Sequence, residues 1–203
     1  RQVSDFGQRA TEWLLMPSAD SLMRLAIFLD AHAVAGDAAL LAGVRQQLQS
    51  LATDNDALIA RFASVIDSFG ESGGWWNRLL GRSDAFSSVH LKKAGIFPLV
   101  HGVRSLALAR HVDTTSTVDR IEALVADGTL DAPLGREMRE SLHLLMGLRL
   151  QAGLSEIERH RPVTGEVDPA TLSSLERDLL KDALAVVRRF RTLLQQRLRL
   201  DAL

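Results

Sequence analysis

The sequence predicts an all-α fold, a helical bundle of about seven to eight helices with a long C-terminal helix, from three observations. Apolar residues recur at spacings of three and four along most of the chain, and strand-like alternation is hard to find. Leucine and alanine dominate while tyrosine is absent, a composition that suits helices better than sheets. Helix-starting Ser, Asp and Pro and helix-ending Gly stand between the periodic stretches. The 203 residues fit a single helical domain, 1–203.

Taken in order, a first helix is expected from about Ser4 to Met16, stopped by Pro17. Ser18 caps a second, ending near Ala31, and after the break at Gly36 Asp37 caps a third reaching about Leu51. Thr53 or Asp54 starts a fourth, with Leu58, Ile59, Phe62, Val65, Ile66 and Phe69 on its apolar side. Four glycines surround Trp75 and Trp76 between Gly70 and Ser88, which reads as a loop. Pro98 lies near the start of the next helix, where its missing N–H costs little, and that helix continues to about Arg110. Ser116 or Thr117 caps a short helix ending at Gly128, and Asp131 with Pro133 opens another that Gly153 closes. Asp168-Pro169 signals the last helix, and Ser173 and Glu176 have the spacing of a capping box within its first turns. Its stripe of Leu172, Leu175, Leu179, Ala183, Val186, Val187, Phe190, Leu193 and Leu194 predicts a helix of roughly 45 Å serving as the spine of the bundle.

Composition narrows the function. At 46% hydrophobic and 24% charged the chain can bury a core, and its net charge of −1 sets up no global field toward nucleic acid or membranes. The absence of cysteine removes disulfides, thiol catalysis and cysteine metal sites, and suits a reducing cytoplasm. No apolar run reaches the ~18 residues of a membrane span. Arg1 falls inside a helix-like pattern, so the chain is expected to be part of something longer. Catalytic signatures are missing: there is no Gly-Ser dipeptide, P-loop, Gly-x-Ser-x-Gly elbow or His-Glu-x-x-His helix. Asp54-Asn55-Asp56 has the spacing of a magnesium-binding pair, but at a helix start its first and third side chains diverge, and capping explains it better.

One segment departs from an average surface. From Ala85 to Val112 there is no acidic residue, yet Lys92, Lys93, Arg104, Arg110 and the histidines His90, His101 and His111 fall there. The chain's 24 basic residues include only three lysines, two of them adjacent before Gly95 and a helix start. Amines, exposed backbone N–H groups and the positive end of a helix dipole can together hold an anion. His101 and Arg104, three apart, share a helix face. A solvated loop is the plainer explanation of the same residues.

The run His90-Leu91-Lys92-Lys93-Ala94-Gly95-Ile96-Phe97-Pro98-Leu99-Val100-His101-Gly102-Val103-Arg104-Ser105-Leu106-Ala107-Leu108 resembles the hallmark of the nucleotidyltransferase substrate-binding domain family of bacteria. Thr117 to Leu124 and Leu175 to Leu184 look like two further helices of that family, and residues 87–203 form the best-matched bundle. Residues 1–37, with Ala26-Ile27-Phe28-Leu29-Asp30 and Gly36-Asp37, are similar to the segment trailing its catalytic domain. The resemblance is weakest between about Leu51 and Ser88. The chain departs from the family's usual pattern at His90, Ala94 and His32, where an acidic residue, a glycine and an arginine are typical.

The resemblance implies a non-catalytic domain working beside a polymerase-type nucleotidyltransferase domain and CBS or cyclic-nucleotide-binding modules. Magnesium and a nucleoside triphosphate belong to the parent enzyme, and no cofactor is expected on this chain. Lys92, Lys93, His101, Arg104, Arg120 and Lys181 are the candidate contacts to a nucleotide or phosphorylated acceptor, oriented by Asp30 and Asp178. Lys92, His101 and Arg104 are expected to line one groove, with Lys181 at its rim. The alternative is a regulatory or dimerising helical module, marked by an exposed apolar stripe on the last helix. Nucleic-acid binding ranks third: Arg188, Arg189, Arg191, Arg197 and Arg199 make a basic face with only Phe190 interleaved.

Overall fold

The computed structural model describes residues 3–15, 18–69 and 88–199. It is 76% helical, as the apolar periodicity requires. The chain divides into two compact units, one of residues 1–65, 101–130 and 194–203, the other of residues 66–100 and 131–193.

The first unit begins with α1 (Val3–Leu15), α2 (Ala19–Leu29), α3 (Ala38–Ala52) and α4 (Asp56–Ala63). Ser18 and Ser21 close α2 in a reciprocal capping box, each side-chain oxygen accepting from the other's backbone N–H at 3.1 and 2.6 Å. Asp37 caps α3 by accepting from the Ala39 N–H at 2.9 Å. The start of α4 differs from expectation, because Asn55 is the cap, accepting from the Leu58 N–H at 3.1 Å. Asp54 instead takes a left-handed φ of 56° and turns the chain into it, a conformation Asp tolerates better than most residues. The helical run continues through a 3₁₀ turn at Ser64–Phe69. The Trp75–Trp76 segment, residues 70–87, lies outside the described residues.

Packing in this unit buries Ala10, Leu22, Leu25, Phe28, Val44, Leu48, Phe62 and Leu108 around one core. Leu108 belongs to α5 (Phe97–Ala109), whose residues from His101 onward lie in this unit. Ser116 caps α6 (Thr117–Ala126), accepting from the Asp119 N–H at 3.3 Å, and Gly128 follows in a left-handed conformation.

In the second unit a two-residue ladder pairs β1 (Val89–His90) antiparallel with β2 (Glu166–Val167), Val89 opposite Val167. Lys92–Ile96 form a π-helical turn, and a Cβ on its Gly95 would stand 2.6 Å from Leu145 and 3.3 Å from Leu184. That close approach admits only glycine without movement. Asp131 caps α7 (Ala132–Glu158) through the Leu134 N–H at 2.7 Å. Gly153 does not close this helix. It is buried with Val163 against it, and closure comes later, where His160 turns left-handed and the Arg161 N–H donates to Glu156 O at 2.8 Å.

The last helix also starts late. Asp168-Pro169 opens only the 3₁₀ turn Pro169–Thr171, and the Ser173/Glu176 capping box is the true start of α8 (Ser174–Leu198). With 25 residues it spans about 38 Å. Its buried stripe in the second unit is Leu180, Ala183, Leu184, Val187 and Phe190, whereas Leu175 and Leu179 are exposed. Among the described residues no helix is long and apolar enough to cross a membrane.

Candidate functional site

The C-terminal end of α2 carries a charge arrangement that begins as a backbone problem. The last carbonyls of a helix lack internal partners and carry its negative dipole end. Two arginines answer them. Arg45 of α3 donates through Nη2 to Ala31 O and, at 3.5 Å, to Leu29 O. Arg120 of α6 donates through Nη2 to Leu29 O at 3.1 Å.

Asp30, the cap residue itself, places a carboxylate where the dipole disfavours one. Cations offset this. Arg104 of α5 grips Asp30 in a two-pronged fork, Nε to Oδ1 at 3.2 Å and Nη2 to Oδ2. Arg120 adds Nη1 to Oδ1 at 2.7 Å. Residues 74 and 90 positions apart thus meet on one carboxylate. The Arg104 and Arg120 side chains are 10% and 3% exposed, that of Asp30 35%. Burial pushes the Asp30 carboxyl up, but the hydrogen bonds and charges of Arg104 and Arg120 outweigh it and leave its pKa below the ordinary value. For Arg120 burial dominates, and with Arg104 and Arg45 it lowers the pKa against the pull of Asp30. A guanidinium stays charged regardless.

His101 supports this group from behind. It is 1% exposed and rests against the Phe62 ring at 4.6 Å between centroids. Its Nε2 lies 2.7 Å from Phe62 O, which makes Nε2 the protonated nitrogen, and Nδ1 accepts from Arg104 Nη1 at 3.4 Å. Burial first, then the charge of Arg104, lowers its pKa to about 4, against opposing pulls from Phe62 O and Asp30. The ring is therefore neutral at pH 7.

The sequence-derived candidates fall into two sets. Asp30, His101, Arg104 and Arg120 come together in the first unit. Lys92, Lys93, Lys181 and Asp178 belong to the second. There Lys92 and Lys93 are exposed on the π turn, and Lys181 donates to Asp178 at 3.3 Å one helical turn away. Sequence reasoning missed Arg45, because nothing near it in the chain marks it. Its Ala31 and Leu29 partners lie 14 and 16 residues away, on the other side of the turn at Gly36.

Leu29, Arg45, Gln49, Arg104, Asp113 and Arg120 are among the residues around a small pocket beside the arginines. Its free space is about 20 Å³, room for one water-sized group. At its edge Gln49 donates to Asp113. The Arg120 Nε, buried, has no hydrogen-bond partner. Among the described residues no group of three or more His, Cys, Asp or Glu is placed to hold a metal ion.

Comparison with known proteins agrees with the sequence hallmark. A family model described as "Putative nucleotidyltransferase substrate binding domain" matches residues 56–198. That span takes in His101, Arg104, Arg120 and all three lysines, and leaves Asp30 and Arg45 upstream. The searches of curated proteins and of solved structures returned no match. With more than two thirds of its length inside the match, the chain belongs to the nucleotidyltransferase substrate-binding domain family.

Proposed function

We propose that this chain is the non-catalytic, substrate-holding part of a bacterial, cytoplasmic polymerase-type nucleotidyltransferase. It supplies contacts to a nucleotide or phosphorylated acceptor, while magnesium, the nucleoside triphosphate and the transfer chemistry belong to a catalytic domain outside it. CBS or cyclic-nucleotide-binding modules would act as regulatory neighbours. The observation that carries this reading is the convergence of Arg104 and Arg120 on the partly exposed Asp30 carboxylate. Planar guanidiniums in fixed orientation suit phosphate oxygens as well as carboxylates. His101 serves as a positioning residue that fixes the Arg104 fork, and the exposed Lys92 and Lys93, with Lys181, offer further cations for the acceptor. The test is a titration of the chain with nucleoside mono-, di- and triphosphates. Binding that weakens with added salt supports the reading, and no binding at millimolar ligand overturns it. The chain alone, with magnesium, is expected to transfer no labelled nucleotide.

A second reading, a dimerising or signal-relaying helical module, is favoured by a different observation. Met146, Leu150, Leu154 and Ile157 form an exposed apolar stripe on α7, each more than half exposed, in addition to Leu175 and Leu179 on α8. A second copy of the chain is the occupant this reading names. Sedimentation equilibrium decides it: a dimer that Leu150→Ser and Leu154→Ser dissociate supports this reading, and a monomer at high concentration removes it.

A further inference from the structure

We infer that Arg45, Arg104 and Arg120 together form a receptor for one terminal phosphoryl group, with Arg45 as its outer cation. The inference rests on the phosphate-binding reading above and deepens it by naming the anchoring point and the part of the ligand that reaches it.

Three features specify the ligand. Three guanidiniums surround the pocket, and the carboxylates facing them are Asp30, already shared by Arg104 and Arg120, and Asp113 at the edge, hydrogen-bonded to Gln49. His101, the remaining titratable group at the cluster, is neutral. A positive excess is left over. The Arg120 Nε–H is a donor without an acceptor in a residue 2% exposed. A buried donor left without an acceptor keeps its desolvation penalty, so an entering group that accepts a hydrogen bond gains what a donor would not. Finally, the space admits one oxygen-sized group, which excludes a base or sugar and fits a single phosphoryl oxygen with the rest of the molecule outside. Arg45, only half-buried where Arg104 and Arg120 are buried, is the most solvent-accessible of the three arginines around this space. It can follow the phosphoryl group while keeping its hold on the Leu29 and Ala31 carbonyls.

Pyrophosphate is the probe, since it carries a terminal phosphoryl group and no base, and inorganic phosphate and a nucleoside triphosphate are the companion arms. Binding to the whole chain is read by calorimetry and by the Arg Nε–H NMR signals. The expected result is saturable pyrophosphate binding that shifts the Arg120 Nε–H signal. It should weaken at least about tenfold in Arg45→Gln and by less in Arg45→Lys, which keeps the charge and loses the fork. Melting temperature, read beside each titration, identifies a variant that fails to fold, and Arg45→Lys then carries the comparison. Unchanged affinity in folded Arg45→Gln, or an unmoved Arg120 signal at saturation, overturns the inference. If the nucleoside triphosphate still binds in that case, the substrate-holding reading stands without it. If pyrophosphate binds through Arg45 but nucleotides gain nothing over it, the receptor stands and the nucleotide reading falls. No binding of any of the three removes both.

Discussion

The two units place their charges in opposite ways. In the first, Arg104 and Arg120 are buried and locked onto a carboxylate from a distant element. In the second, Lys92 and Lys93 are exposed and Lys181 meets a neighbour one turn away, while close apolar packing at Gly95 holds the turn that carries the lysine pair. A buried ion pair is intolerant of losing one partner, because the other is left desolvated and uncompensated. An exposed pair at i, i+3 contributes little and is screened. The contrast is between guanidiniums fixed by burial and a shared carboxylate in the first unit and an exposed lysine pair in the second.

Removing the shared carboxylate is expected to have the largest effect. Asp30→Ala should lower stability by about 2–4 kcal/mol in urea denaturation, discounted because the Asp30 side chain is 35% exposed, while Asp178→Ala should stay within about 0.5 kcal/mol. Equal losses would erase the distinction between the units. Gly95→Ala tests the second unit on its own ground. Its new methyl must displace the fully buried Leu145, which should cost about 1–3 kcal/mol.

Acid sharpens the comparison further. His101 has a pKa of about 4 in the folded chain against about 6.5 unfolded. Its contribution is thus fully present above pH 6.5 and is lost as pH falls toward 4. Between pH 7 and pH 5 this amounts to about 2 kcal/mol. Denaturation midpoints at the two pH values measure it, and His101→Gln, which keeps one donor and one acceptor, should remove that part of the pH dependence. A smaller loss, about 1 kcal/mol, is expected for Ser173→Ala at the start of α8, against a few tenths for Lys92→Ala on the exposed π turn.

Much of this fold was legible in local residue patterns. Ser18, Asp37 and Asp131 cap the helices they were expected to cap, because a cap depends on a side chain and a backbone N–H only two or three residues away. The acid-free segment and the spacing of His101 and Arg104 are local too, and the contact between these two side chains follows from helical geometry. Competing local signals were harder to rank. Asp168-Pro169 and Ser173/Glu176 each read as a helix start, and the first makes only a 3₁₀ turn.

By itself, then, the sequence determined the helices, most of their caps, the basic segment and the family, all of which follow from relations between near neighbours. Tertiary structure alone decided that Asp30 answers both Arg104 and Arg120, that Arg45 closes the same helix end, and that α8 buries Leu180 and Leu184 while exposing Leu175 and Leu179. These relations join elements up to 90 residues apart. Periodicity says that a helix has an apolar side and a charged residue needs an answer; which side is covered, and which charge answers, depends on the elements that pack there.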